Sequence, residues 1–188
     1  MANIISITGD LGSGKSTVAA ILCKRLNYDY IYTGAIQRKI AARYNMTTKE
    51  LNQYSERHPE IDEEIDSTFK SLNTMSDLIV DSRLAWFFIP DSFKVFLKTD
   101  IAVAGERITK DRERKNEKYV STDDAIRNII ERKNSENKRY KELYGADCTD
   151  MRHFNLIIDT SFLSPESVAE KILEAYRTWQ ASNSGATH

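Results

Sequence analysis

Residues 9–16 read Gly9-Asp10-Leu11-Gly12-Ser13-Gly14-Lys15-Ser16, filling every fixed place of the pattern G-x-x-x-x-G-K-[ST]. Glycines let the backbone wrap tightly and aim several N–H groups at one anion. A helix opening near Lys15 adds the positive end of its dipole. Lys15 can reach the β- and γ-phosphates of a nucleoside triphosphate as a mobile point charge, and the Ser16 hydroxyl is a hard oxygen ligand suited to Mg²⁺. In a chain of this length the pattern arises by chance about one time in a hundred. Here it also sits between an apolar run and a helical pattern, the context that gives it meaning. The stretch through Thr17 is therefore assigned to the triphosphate, with Lys15 as a catalytic charge.

A second group of residues suits the other half of a phosphoryl transfer. Asp81 closes the apolar run Leu78-Ile79-Val80. A carboxylate there can hold a Mg²⁺-bound water or orient an acceptor, although a strand-end acid can also be a turn or cap residue. Arg38 and Arg83 follow two such runs, and a planar guanidinium can grip a phosphate with two bonds. Between residues 101 and 144 there are 12 basic and 9 acidic side chains, so most belong to a solvated helical hairpin. Arg107, Arg112 and Arg114 differ, because they fall where a lid would fold over bound phosphates. Arg132 and Arg139 are seven apart and share one face of a helix.

These residues need a frame. Short apolar runs at residues 4–8, 28–32, 78–81, 93–97 and 156–159 alternate with helical patterns at 15–26, 35–44, 47–56, 101–108, 121–144 and 165–179, and a further helix starts at Pro59. Thr47-Thr48-Lys49-Glu50 and Ser121-Thr122-Asp123-Asp124 read as capping boxes, and Thr33-Gly34 as a turn. Alternating strands and helices imply a three-layer α/β domain around a five-stranded parallel sheet. Its site lies at the carboxyl ends of the strands, where Gly9, Thr33, Asp81 and Asp100 fall. The expected organisation is one domain over residues 1–180 and a polar tail over 181–188.

Bulk properties limit the alternatives. With 27 basic and 28 acidic side chains, no global charge favours nucleic acid or an anionic membrane. Two distant cysteines and three histidines without ligand spacing argue against a disulfide framework or a zinc site. No run approaches transmembrane length. A monomeric cytoplasmic enzyme is expected, without nucleic acid or membrane partners.

Four stretches carry a family likeness: residues 9–17, Thr33-Gly34-Ala35-Ile36-Gln37-Arg38, Asp81-Ser82-Arg83, and Glu131-Arg132 through Lys138-Arg139-Tyr140. Together they resemble the cytidylate kinases in their short form, with order and spacing agreeing from about residue 4 to 176. The resemblance implies a P-loop fold of the nucleoside-monophosphate-kinase type, with strand order 2-3-1-4-5, a helical lid over about 107–120 and a small monophosphate-binding insertion over about 33–75. It implies that Thr33 contacts the cytosine, that Arg38, Arg83 and Arg139 hold the acceptor phosphate, and that Arg132 and Glu136 lie near the acceptor nucleoside. ATP would be the donor, Mg²⁺ the metal, and CMP or dCMP the acceptor. Ser82 departs from the Asp-Gly-Arg triplet of the family, and Lys133-Asn134-Ser135 from the pattern common after Arg132. The rival readings are another small-acceptor P-loop kinase, acting on adenylate, a sugar acid or shikimate, and a GTP-dependent switch. The chain contains no Gly-Gly pair, no Asn-Lys-x-Asp and no Asp-x-x-Gly, and carries Ser16 where adenylate kinases usually have glycine.

Overall fold

The computed structural model describes residues 3–110 and 119–184. Strand β1 (Ile4–Gly9) is buried along its whole length, as a short apolar run must be when both faces of its sheet are covered. It pairs in parallel with β3 (Leu78–Asp81) on one side and β4 (Phe93–Lys98) on the other. Strand β2 (Asp29–Tyr32) joins β3, and β5 (Leu156–Asp159) joins β4. The order is β2-β3-β1-β4-β5, the one implied by the resemblance. Every pairing is parallel, so each connection crosses over through helix.

Side chains alternate across the sheet. Ile5, Ile7, Ile79, Val95 and Leu97 pack against Val18 and Leu22 of α1 (Lys15–Leu26) and Val168, Ile172 and Tyr176 of α8 (Pro165–Ser184). On the opposite face Ile4, Leu78 and Val80 meet α2 (Thr33–Arg43), α3 (Thr48–Ser55), α4 (Pro59–Ser71) and α5 (Ala85–Phe88), with Tyr140 from α7 (Thr122–Tyr144). Ser6 and Thr8 share the face of Ile4. Their buried hydroxyls are satisfied by the Ser92 hydroxyl at 2.8 Å and the Ser82 carbonyl at 2.8 Å, so these polar residues leave no unmet hydrogen bond in the core. Helix α6 (Ile101–Lys110) packs on α7 through Ala104, Ile108, Ala125 and Ile129.

Local chemistry sets most helix ends. At Thr47 both halves of the capping box form. At Ser121 only one half does: its hydroxyl accepts from Asp124 N, while the Asp124 carboxylate accepts from Val120 N instead of the cap residue. Two further expectations need correction. Thr33-Gly34 is not a turn but the first turn of α2. Helix α8 does not stop near Trp179 but continues to Ser184, into the expected polar tail. The short helix α5 was not foreseen. Ser82 explains part of it, since its hydroxyl accepts from Leu84 N at 3.3 Å just before α5 begins. Among the described residues no helix is long and apolar enough to cross a membrane.

Candidate active site

The loop of residues 9–16 joins β1 to α1 at the carboxyl edge of the sheet. Gly9 can carry no side chain, because a Cβ there would drive into the backbone of Leu97 on the neighbouring strand. Gly14 caps α1 in the left-handed region, φ 83°, without a side-chain cap, which leaves first-turn N–H groups for a ligand. Ser13 donates to the Asp10 carbonyl at 2.8 Å and its own carbonyl accepts from the Thr160 hydroxyl at 3.1 Å. Arg107, at the end of α6, donates to the carbonyls of Gly12, Thr160 and Ser161, tying the loop to the segment after β5. The Asp10 carboxylate accepts from Thr99 N at 3.2 Å and pairs with Lys133 of α7 at 2.8 Å. Lys133, one of the departures from the family pattern, thus braces the loop.

The Lys15 ammonium lies over this loop, donating to the carbonyls of Gly9 at 3.0 Å and Asp10 at 2.8 Å. Burial lowers its pKa to about 8, with the Asp81 carboxylate opposing and the Arg83 guanidinium reinforcing the shift. Burial pushes Asp81 above the usual carboxylate range, against the pull of Lys15, a hydrogen bond from Tyr30 and the charge of Arg83. The Tyr30 hydroxyl reaches Asp81 at 3.1 Å, and Thr33 donates to the Asp81 carbonyl at 3.3 Å. Ser16 is exposed at the start of α1. A free hydroxyl and a carboxylate are hard oxygen donors of the kind Mg²⁺ takes when phosphates and water supply the rest of its shell, so the residues present fit that ion.

Beside the loop, two arginines pair with one buried acid, and the charge of a third acts on it. Arg83 Nε lies 2.9 Å from Glu136 Oε2, and Arg132 Nε lies 2.8 Å from Glu136 Oε1. Burial acts to raise the Glu136 pKa, but the charges of Arg83, Arg132 and Arg139 outweigh it and hold the carboxyl below its ordinary value. Arg139 itself donates to Ser55 Oγ at 2.9 Å and pairs with Asp62 of α4 at 3.6 Å. Arg83 also donates to the Gly9 carbonyl at 3.1 Å, which leaves its Nη2 buried without a hydrogen bond. That atom and the unpaired Thr99 hydroxyl belong to residues lining a cavity of about 100 Å³, bounded also by Asp10, Leu11 and Lys133.

The other expected residues fall as follows. Thr33, at the start of α2, lines a recess with Gln37, Asp62, Asp66, Tyr140 and Tyr144. Arg38 stands apart from the arginine group: it is exposed and donates to the Tyr32 hydroxyl at 2.5 Å, with its guanidinium over the Tyr32 ring. Tyr32 stacks on Tyr30, so Arg38 connects to Asp81 through two aromatic rings. Arg112 and Arg114, and most of the expected lid, lie outside the described residues. Reading by sequence missed Tyr30, Asp62, Asp66 and Lys133. The repeat Ile61-Asp62 and Ile65-Asp66 at helical spacing was the available signal, since it sets two acids beside the buried face of α4.

Fold and loop together define a P-loop kinase architecture. A shikimate kinase from Bacteroides thetaiotaomicron shares it, with a TM-score of 0.63 at 18% identity, over 92% of this chain and 97% of that one. That likeness is one of fold. The chain belongs to the cytidylate kinase-like family, whose model matches residues 4–162. It is 38% identical over 176 residues to the cytidylate kinase of Sulfurisphaera tokodaii, covering 92% of this chain and 94% of that protein. To the cytidylate kinase of Pyrococcus abyssi it is 34% identical over 166 residues, 88% of each chain.

Proposed function

We propose that this protein transfers the γ-phosphoryl group of ATP to CMP and dCMP, giving ADP and the nucleoside diphosphate. The observation that carries the reading is the grouping of Arg83, Arg132 and Arg139 around two buried carboxylates, Glu136 and Asp62, next to the phosphate loop. Arg83 keeps a buried Nη2 without a hydrogen bond there, and an anionic acceptor supplies the oxygen that this donor lacks. Shikimate and sugar acids are anions too, so the match to the cytidylate kinase-like family over residues 4–162 is what favours a nucleoside monophosphate.

The acceptor phosphate is already anionic, so the reaction needs no general base; positioning and charge stabilisation carry it. Lys15 would exchange its two carbonyl partners for β- and γ-phosphate oxygens. Arg83 would keep Glu136 and turn its unpaired Nη2 to the acceptor phosphate, joined by Arg139 and by Arg38 once it leaves Tyr32. Mg²⁺, held by Ser16 and through water by Asp81, would supply charge neutralisation to the triphosphate. Residues 33–75 would bind the monophosphate, and a lid over 107–120 would bring Arg107, Arg112 and Arg114 around the phosphates and exclude water. The protein would act as a monomer in the cytoplasm.

The test is coupled ADP release at saturating Mg-ATP with CMP, dCMP, UMP, AMP and GMP in turn. CMP and dCMP should be preferred, UMP poor, and both purines near inactive. AMP as the best acceptor, or no acceptor phosphorylated above background hydrolysis, would overturn the assignment.

A further inference from the structure

An acid inside an anion-binding loop works against the loop's task. Asp10 holds the second place of the phosphate loop, whose N–H groups must receive a triphosphate. The fold gives its carboxylate two partners from distant parts of the chain. One oxygen accepts from Thr99 N, just after β4, at 3.2 Å, and the other accepts from the Lys133 ammonium of α7 at 2.8 Å. Only 16% of the Asp10 side chain is accessible, so water screens its charge poorly. The backbone of Asp10 is held as well: its N–H donates to the Leu97 carbonyl at 2.9 Å, and its carbonyl accepts from Ser13 Oγ and from Lys15. Lys15 also feels the Asp10 charge, but its ammonium is the one that goes to an incoming triphosphate. Lys133 is the cation that stays with Asp10. It follows Arg132 on the helix that also carries Glu136 and Arg139, and it lines the cavity of about 100 Å³ beside Asp10 and Arg83. Because Lys133 departs from the family pattern, the likeness assigns it no role.

We infer that Lys133 is a positioning residue for phosphoryl transfer: it holds Asp10 against Thr99 and cancels its charge, so that the loop can take a triphosphate. The inference rests on the reading of residues 9–16 as the triphosphate site, and not on the choice of acceptor. Lys133 acts through Asp10 and does not touch the nucleotide. Remove it, and the carboxylate keeps Thr99 N but loses its counter-charge. The remaining negative charge then opposes each phosphate that enters, and such repulsion is strongest where water is scarce. Remove both charges, and the repulsion is gone. Asparagine at position 10 still offers an oxygen to Thr99 N, so that tie of the loop survives the change. The effect of losing Lys133 therefore depends on what stands at position 10.

The experiment is a double-mutant cycle on Mg-ATP binding. Calorimetric dissociation constants are compared for the wild type, Lys133→Met, Asp10→Asn and the Asp10→Asn/Lys133→Met double variant, with thermal midpoints as a check on folding. Methionine keeps most of the apolar stem of lysine and drops the charge. At about 50 mM KCl, Lys133→Met should weaken binding about tenfold. At about 300 mM the loss should shrink to roughly threefold or less, because salt screens it. Asp10→Asn alone should bind at least as tightly as the wild type. The double variant should bind within about threefold of the wild type. A lysine that only supported the fold would show no such rescue, since Asp10→Asn removes a charge and builds no contact. Wild-type affinity in Lys133→Met would overturn the inference. So would a double variant as weak as Lys133→Met, because Lys133 would then be meeting the phosphates directly. Either result leaves the kinase reading standing. A wild type that binds no Mg-ATP would overturn the triphosphate reading, and this inference with it.

Discussion

Replacing Arg83 by methionine should separate what the arginine group does for stability from what it does for the acceptor. The change removes Arg83 Nε from Glu136 at 2.9 Å, Nη1 from the Gly9 carbonyl at 3.1 Å, and the buried Nη2 that has no partner. A buried charge that loses its sole partner costs roughly 3–5 kcal/mol. Glu136 keeps Arg132 at 2.8 Å, so a loss of about 2–3 kcal/mol is expected, near the value of one charged hydrogen bond. Adding Glu136→Gln removes the stranded charge, while its amide oxygen can still accept from Arg132. At least half of the lost stability should return in the Arg83→Met/Glu136→Gln double variant. Activity should not return. The missing contact to the acceptor phosphate is itself worth about 1.5–3 kcal/mol, or roughly 10- to 150-fold in acceptor kcat/KM. Urea unfolding at pH 7.5 gives the stabilities, and coupled ADP release with varied CMP gives the kinetics. A double variant as unstable as the single one would refute the charge argument. Wild-type acceptor kinetics in either variant would remove Arg83 from the phosphate site.

Further expectations follow from single residues. Lys15→Ala should lower kcat by about 10³-fold in a folded protein, since preorganised charge is usually the largest catalytic contribution; stopped-assay turnover near wild type would exclude Lys15 from the transfer. Gly14→Ala meets no atom within 4 Å and carries only the strain of φ 83°, so it should cost roughly 1–2 kcal/mol. Gly9→Ala forces apart β1 and β4 at Leu97 and should exceed about 4 kcal/mol; equal denaturation midpoints for the two would contradict this. Burial pushes the Cys148 thiol from 9.0 up to about 11, so in a Cys23→Ser background iodoacetamide should react about tenfold faster per pH unit from pH 7 to 10, while urea-unfolded protein levels off near pH 9. Because folding disfavours the thiolate, Cys148 should also make stability fall as pH rises from about 9 towards 11, a contribution that Cys148→Ser should remove, leaving a shallower slope from the other titrating groups, including Tyr30 and Tyr140, which burial also raises.

What the amino-acid sequence determined by itself is chemistry confined to a contiguous stretch. The phosphate loop is legible because its spacing must match one anion, and all of its parts lie within residues 9–16. The strands are legible because five short apolar runs alternate with helical patterns, and the Thr47 cap because its donor and acceptor are three residues apart. Strand order came instead from family likeness. The start of α2 was misjudged because Thr33 and Gly34 are turn-type residues, whereas contacts distant in sequence, the Thr33 hydrogen bond to Asp81 and the burial of Ile40 and Ala41 in the core, support a helix there.

Tertiary structure alone decided which charges meet. Tyr30 reaches Asp81 across 51 residues of chain, and Lys133 reaches Asp10 across 123. Glu136 stood out only through family likeness, and its contact with Arg132 is local, four residues away on α7, but it is the packing of α7 that brings it to Arg83. Arg38 and Arg83 looked equivalent in the sequence, but one lies exposed on Tyr32 while the other is tied to Gly9 and Glu136. The reason is physical. A charged side chain is at home almost anywhere on a solvated surface, so its type carries little information about its place. Burial removes that freedom, and which charges become buried together depends on how the helices cover the sheet.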